Sequence, residues 1–250
     1  MKLDELVRYL DSLLRIDAIE DDSPNGLQVE GRPDVTRVGF GVDYCPELAD
    51  RAAADGMDLL FVHHGLIWGG VRHLRGMTMR FLKPLVRSDL SLYVAHLPLD
   101  VHPELGHNIQ MARLLDLADP RPFGCHHGHP VGIIGRWTGP AGRDHVLAAI
   151  RQRLSSQAML LPFGGESIQS VAIISGGAAK LAEQAREAGA DLYLTGETSH
   201  SQFHLLKELG LNVCFGGHYQ TEKWGLLAVL EHLRERGLAD GRFYDLPTPF

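Results

Sequence analysis

Leu3, Leu6, Val7, Leu10, Leu13 and Leu14 recur at intervals of three and four. That spacing predicts an amphipathic opening helix of about four turns. The polar run Asp21-Asp22-Ser23-Pro24-Asn25-Gly26 stops it. The period then changes: strands are predicted at Arg37 to Val42 and Leu59 to Val62, with a helix from Pro46 to Asp55 between them. This βαβ order implies a mainly parallel sheet. A helix from Met79 to Arg87, strained at Pro84, a strand at Leu92 to Ala95 and a helix from Glu104 to Leu115 follow. A turn-rich stretch from Asp119 to Pro130 breaks the chain. Beyond it, strands are predicted at Val131 to Trp137, Val171 to Ser175, Leu192 to Thr195 and Val213 to Phe215. Helices are predicted at Arg143 to Leu154, Ala178 to Ala188, Ser201 to Leu209 and Thr221 to Arg236.

The two halves resemble each other beyond this alternation. Ala54-Asp55-Gly56-Met57-Asp58-Leu59-Leu60 closes a helix and opens a strand, and Glu187-Ala188-Gly189-Ala190-Asp191-Leu192-Tyr193 does the same. In each half a later strand leads to a His followed four residues on by an acid, His96 with Asp100 and His218 with Glu222. The expected fold is α/β, with two similar lobes of mainly parallel or mixed sheet produced by an internal duplication. Residues 1–124 would form the first lobe, carrying His63, His64 and Asp100. Residues 125–250 would form the second, carrying His218 and Glu222, with the C-terminal segment packing back on the first. The alternative is two βαβ units that merely share turn chemistry.

Composition narrows the function. With 44% apolar and 22% charged residues the chain has the make-up of an ordinary globular protein. A formal net charge of -7 argues against a general nucleic-acid binder, whose affinity rests on clustered Lys and Arg. A local basic pocket for one nucleotide is compatible with it. Lys2, Asp4, Glu5 and Arg8 interrupt the opening apolar positions, against a signal peptide, and no run reaches the roughly 20 apolar residues of a membrane span. The three scattered cysteines suit a reducing compartment, so the expected location is cytoplasmic. The outlying number is 14 histidines.

His63 and His64 end an apolar strand and precede Gly65 and the Trp68-Gly69-Gly70 loop. In open α/β sheets that edge is where ligands bind. A bend there lets two neighbouring imidazoles converge, each on one metal of a pair; the alternative is a metal-free histidine pair. After Gly216-Gly217, His218 and Glu222 stand at positions i and i+4, on one face of a helix. Asp100, after Leu97-Pro98-Leu99, adds a carboxylate able to bridge two ions. Three imidazoles and two carboxylates suit Zn, Fe, Mn, Co or Ni better than Ca or Mg. Open coordination positions favour an enzyme, and two ions about 3.5–4 Å apart favour hydrolysis. The repeat adds Glu197: aligning Asp58 with Asp191 carries His64 onto Glu197. Glu197 is therefore expected to face the site as a general base or to fix a ligand's tautomer, with His200 in the same segment. Its alternative role is capping the following helix near Ser199.

These residues carry a family resemblance. The runs Ser23-Pro24-Asn25-Gly26-Leu27-Gln28-Val29-Glu30-Gly31, His63-His64-Gly65-Leu66-Ile67-Trp68, Ala95-His96-Leu97-Pro98-Leu99-Asp100, Thr195-Gly196-Glu197 and Gly217-His218-Tyr219-Gln220-Thr221-Glu222 span essentially the whole chain in order. Together they resemble the GTP cyclohydrolase 1 type 2 homologues, the Nif-three-like dinuclear metal centre proteins, in their short form without an insertion between Asp119 and Ser170. The resemblance implies two metal ions held by His63, His64, Asp100, His218 and Glu222, with His96 close behind them. It also implies a toroidal homohexamer and the conversion of GTP to dihydroneopterin triphosphate and formate. Arg72, Arg75 and Arg80 are the candidates for a triphosphate contact, or else exposed charges. Rival readings are a phosphoesterase or amide hydrolase acting on another small molecule, and a ring-shaped metal-holding regulatory protein.

One cluster departs from the family pattern: Cys125-His126-His127-Gly128-His129. Sulfur with imidazole would favour Zn, but a turn-rich setting without a supporting acid reads as a solvated loop. His73, His107, His145 and His232 read as surface or helix-face residues.

Overall fold

The computed structural model describes residues 1–71 and 73–249. Two compact units emerge, one of Met1–Leu99 with Leu226–Leu246, the other of Asp100–Gly225 with the residues from Pro247 on. The boundary expected between 124 and 125 falls inside a strand, and Asp100 belongs to the second unit.

In the first unit α1 (Leu3–Leu14) buries Leu3, Leu6, Leu10 and Leu14, as its spacing predicts. It is followed by β1 (Gly26–Val29), β2 (Arg37–Asp43), α2 (Pro46–Ala54), β3 (Leu59–His64), α3 (Met77–Ser88), β4 (Ser91–Val94) and, at the junction, α4 (Leu97–Asp100). Phe40 on β2, Phe61 on β3 and Tyr93 on β4 lie in register and stack, with ring centroids 5.2 Å apart in each pair. All three are fully buried, so this aromatic ladder anchors the sheet centre.

The second unit runs α5 (His107–Leu114), β5 (Ala118–His126), β6 (His129–Gly142), α6 (Arg143–Arg153), β7 (Met159–Pro162), β8 (Ser167–Ile173), α7 (Ala182–Glu187), β9 (Leu192–Thr195), α8 (Phe203–Glu208), β10 (Asn212–Phe215) and α9 (His218–Thr221). The chain re-enters the first unit within α10 (Trp224–Glu235) and adds β11 (Asp240–Phe243) beside β2.

The first sheet has the order β1-β4-β3-β2-β11, parallel except for β1. The second has the order β5-β6-β8-β9-β10-β7, in which β8, β9 and β10 are parallel and the rest antiparallel. Read from β1 and from β7 the two sheets repeat: an antiparallel edge strand, then three parallel strands in reverse chain order. The repeat extends to single atoms. Asp58 Oδ2 accepts the backbone N–H groups of Thr36 and Arg37 at 2.9 and 3.0 Å. Asp191 Oδ2 accepts those of Gln169 and Ser170 at 3.0 and 2.8 Å. Each aspartate stands at the entry to one parallel strand and holds backbone N–H groups in or just before the neighbouring parallel strand.

Two sequence expectations need correction. The stretch from Asp119 to Pro130 is an antiparallel pair, β5 with β6, because β5 lies at the sheet edge and is largely exposed. Prolines 120 and 122 can stand there, since an edge strand loses little from a missing N–H. The single helix expected from Thr221 to Arg236 is divided, α9 ending at Thr221 and α10 beginning at Trp224.

Candidate metal centre

In the first unit three imidazoles gather at the exit of β3 and β4. His63 is fully buried, and its Nδ1 donates to the carbonyl of Ala95, just beyond β4, at 2.8 Å. His64 turns to the other neighbour: its Nδ1 donates to Oδ1 of Asp43, the last residue of β2, at 2.7 Å. The strand end thus brings two consecutive rings together, with centroids 4.7 Å apart. His96 donates from Nδ1 to both carboxylate oxygens of Asp21, at 2.9 and 3.0 Å.

All three acceptors are oxygens without a proton to give, so Nδ1 carries the hydrogen in each ring and Nε2 carries the lone pair. Ligand nitrogens of His63, His64 and His96 lie within 4.8 Å of one another. An outer oxygen that fixes the tautomer and orients the ring is the usual support of a metal-binding histidine. These residues therefore fit a metal ion. Asp21 is itself built in: it also accepts from Asn25 Nδ2 and from the backbone of Ser23 and Leu97. Burial opposes its charge, yet the bonds from His96, Asn25 and Ser23 win and hold its carboxyl well below the usual carboxylate range.

The loop after His64 is clamped at its base. Gln28 Oε1 accepts the N–H groups of Leu66 and Ile67, both at 3.0 Å, while its Nε2 donates to Pro24. Trp68 is thereby set edge-on to His96, with centroids 5.1 Å apart, and tilted against His64 at 5.9 Å. Though 45% exposed, it borders an open cavity of about 680 Å³ lined also by Gly69, Gly70, His73 and Arg75. Arg80 is exposed on α3, and Arg72 lies outside the described residues.

In the second unit the site is built on the residues that follow β8, β9 and β10. His218 opens α9; its Nδ1 contacts Oε1 of Glu197, after β9, at 2.9 Å, and its Nε2 contacts Oε2 of Glu222 at 3.0 Å. Burial would lower the pKa of His218, but Glu222 and Glu197 outweigh it and push the value up to about 10. The two carboxylates thus favour positive charge at His218. Glu222 is 3% and Asp100 7% exposed. Carboxylates buried to this degree need a countercharge or a cation. Asp100 accepts the hydroxyl of Ser175 at 2.6 Å, and its backbone carbonyl accepts from Asn108 at 3.0 Å.

Gly176 makes the close packing possible. Its φ is +68°, and a Cβ there would lie 2.1 Å from Glu222 Oε1. His200 stands exposed in the turn before α8.

The structure therefore groups His63, His64 and His96 in one unit, and Asp100, Glu197, His218 and Glu222 in the other. It adds partners that sequence reasoning missed: Asp21, Asp43, Asn108 and Ser175. Asp43 was findable, since β2 pairs with β3 and sets it opposite His64. His107, expected at the surface or on a helix face, opens α5 and is fully buried, and its Nδ1 accepts the N–H of Gly225 at 3.0 Å. His232 likewise has an inward role, 2.6 Å from the hydroxyl of Tyr9.

Known proteins resemble the chain over its whole length. A GTP cyclohydrolase 1 type 2 homologue of Archaeoglobus fulgidus is 42% identical over 248 residues, 99% of each chain. The solved structure of protein ybgI, described as of unknown function, covers 100% of both chains at 37% identity with a TM-score of 0.93. That of TTHA1606 from Thermus thermophilus gives 0.91 at 39% identity, again over 100% of both. The Duf34/NIF3 (NGG1p interacting factor 3) pattern matches residues 1–243, and the chain belongs to that family.

Proposed function

We propose that His63, His64, Asp100, His218 and Glu222 hold two divalent transition ions, of Zn, Fe, Mn, Co or Ni, and that the chain is a hydrolase of a small molecule. The observation that carries this reading is the shared tautomer: His63 and His64 each donate the Nδ1 hydrogen to an oxygen and present the Nε2 lone pair to a metal. His218 meets Glu197 in the same way. A pair of ions supplies water activation and stabilises charge developing on a substrate oxygen. The chain's residues do the rest. Asp43 and Glu197 keep their imidazoles in the ligating tautomer, Asp21 does so for His96, and Trp68 with Arg75 offers a planar and a cationic surface to a substrate.

Conversion of GTP to dihydroneopterin triphosphate and formate is the reaction to try first, supported by the names of relatives such as that of Archaeoglobus fulgidus. The proposed assembly is a homohexamer, supported by the family resemblance. The proposed location is the cytoplasm: the three cysteines are free thiols. Among the described residues no helix is long and apolar enough to cross a membrane.

The test is elemental analysis of anaerobically purified, reconstituted chain beside the H64A and E222A variants, followed by mass spectrometry of products from GTP and a phosphoester panel. Two ions per chain, lowered in both variants, and a metal-dependent product are expected. One ion or none would end the dinuclear reading. Two ions without turnover on any substrate would leave a metal-holding regulatory protein.

A further inference from the structure

The tip of the β5–β6 hairpin carries three imidazoles that the centre above does not use. Its two central residues, His127 and Gly128, both have positive φ, 48° and 82°. That is the tight two-residue turn whose twist matches paired strands. Glycine suits the second position, and histidine is among the residues enriched in the left-handed region. The turn sets His126 directly opposite His129. Opposed residues of an antiparallel pair share a face, with Cβ atoms about 4.5–5.5 Å apart. Two imidazoles at that separation can close on one ion at nitrogen–metal distances of about 2.0–2.1 Å. Cys125, one residue back, points to the other face of the ladder.

The tip is held in place. Gln184 on α7 takes the N–H of Cys125 on its Oε1 at 2.6 Å and returns its Nε2 to the Cys125 carbonyl at 3.1 Å. The amide thus pairs with the last residue before the histidines much as a neighbouring strand would. The ring of His127 lies edge-on against that of His126, with centroids 4.2 Å apart, and limits where the His126 ring can turn. His126 and His127 are exposed and His129 is half-buried, so none of the three rings is part of the core.

We propose that His126 and His129 form a chelating pair for a divalent transition ion of the Cu2+ or Ni2+ kind. Two imidazole nitrogens completed by water suit the tetragonal preference of these ions, whereas a closed Zn site would need four protein donors. Register sets Cys125 opposite Pro130, one step from the pair and on the other face of the ladder.

The experiment titrates Cu2+ into untagged, full-length chain carrying H64A and H218A, which disable the main centre. Calorimetry reads affinity and electron paramagnetic resonance counts the nitrogen ligands. One bound equivalent with two imidazole nitrogens is expected, weakened about tenfold or more by H126A or H129A and unchanged by C125S; losing a mere outer partner already costs about 10–100-fold. Both histidine variants are exposed or half-exposed, so their thermal transitions should match that of the parent. The same affinity and stoichiometry in the H126A/H129A double variant would overturn the proposal, as would loss of the ion in C125S.

Discussion

Glu197 Oε1 lies 2.9 Å from His218 Nδ1, and the residue that pairs with Glu197 in the internal repeat is His64, itself held by Asp43 at 2.7 Å. One strand end has thus become a metal-ligand candidate in one unit and the support of such a candidate in the other.

The Glu197→Gln variant keeps shape and removes charge. Metal affinity, measured by competition with a chelator, should fall about 10–100-fold, the usual cost of an outer partner. The thermal transition of the metal-free chain should move little. Unchanged affinity and turnover would return Glu197 to the role of a helix cap.

Gly176→Ala should be damaging out of proportion to its size. The added methyl meets Glu222 Oε1 at 2.1 Å, at a φ of +68° that costs a side chain about 1–3 kcal/mol. Lower stability and loss of metal are expected together. A variant that binds metal normally would show that Glu222 can move freely, against its assignment as a fixed ligand.

Asp58 makes stability depend on pH. Burial raises its pKa, but the N–H groups of Thr36 and Arg37, the Thr36 hydroxyl and Arg32 outweigh that and leave it lowered from 3.8. The fold therefore favours the charged form. Its contribution is complete above 3.8 and is lost as pH falls through the lower folded value. Asp58→Asn should cost about 1.5–3 kcal/mol at neutral pH and flatten the acid limb of a stability profile. Denaturation across that range, giving parallel curves for the two proteins, would contradict this.

Stripping metal with a chelator should lower Tm, and adding it back should raise Tm with concentration. At 100 times Kd the stabilisation is about 2.7 kcal/mol. His64→Ala should blunt the response. A Tm indifferent to metal would mean that the ions do not bind the folded chain preferentially.

Much of this was legible in the chain because it is local. The run Leu59 to Val62, the leucine stripe of α1 and the paired Gly-x-Asp turns declare their elements without help from distant residues. What was missed depends on partners far away. β11 is a short segment that pairs with β2 from the other end of the chain, and β1 and β7 are short, half-buried edge strands. β5 contains prolines 120 and 122 and is recognisable only once β6 lies beside it. The site followed the same rule. Residue type nominated His63, His64, Asp100, His218 and Glu222, while Asp21 became visible only when folding brought it to His96.

The return of the chain to its first unit has a consequence for synthesis. Until Asp240–Phe243 leave the ribosome, the edge of β2 that β11 will cover stays bare, with Val38 to Val42 as its apolar stretch. A bare edge of that kind is a template for pairing with other chains. Residues 100–225, the main segment of the second unit, emerge before it is closed, so a nascent chain stalled short of Asp240 would carry that segment beside a first unit with an open sheet edge. The vulnerable interval in the making of this fold runs from the emergence of β2 to the emergence of β11.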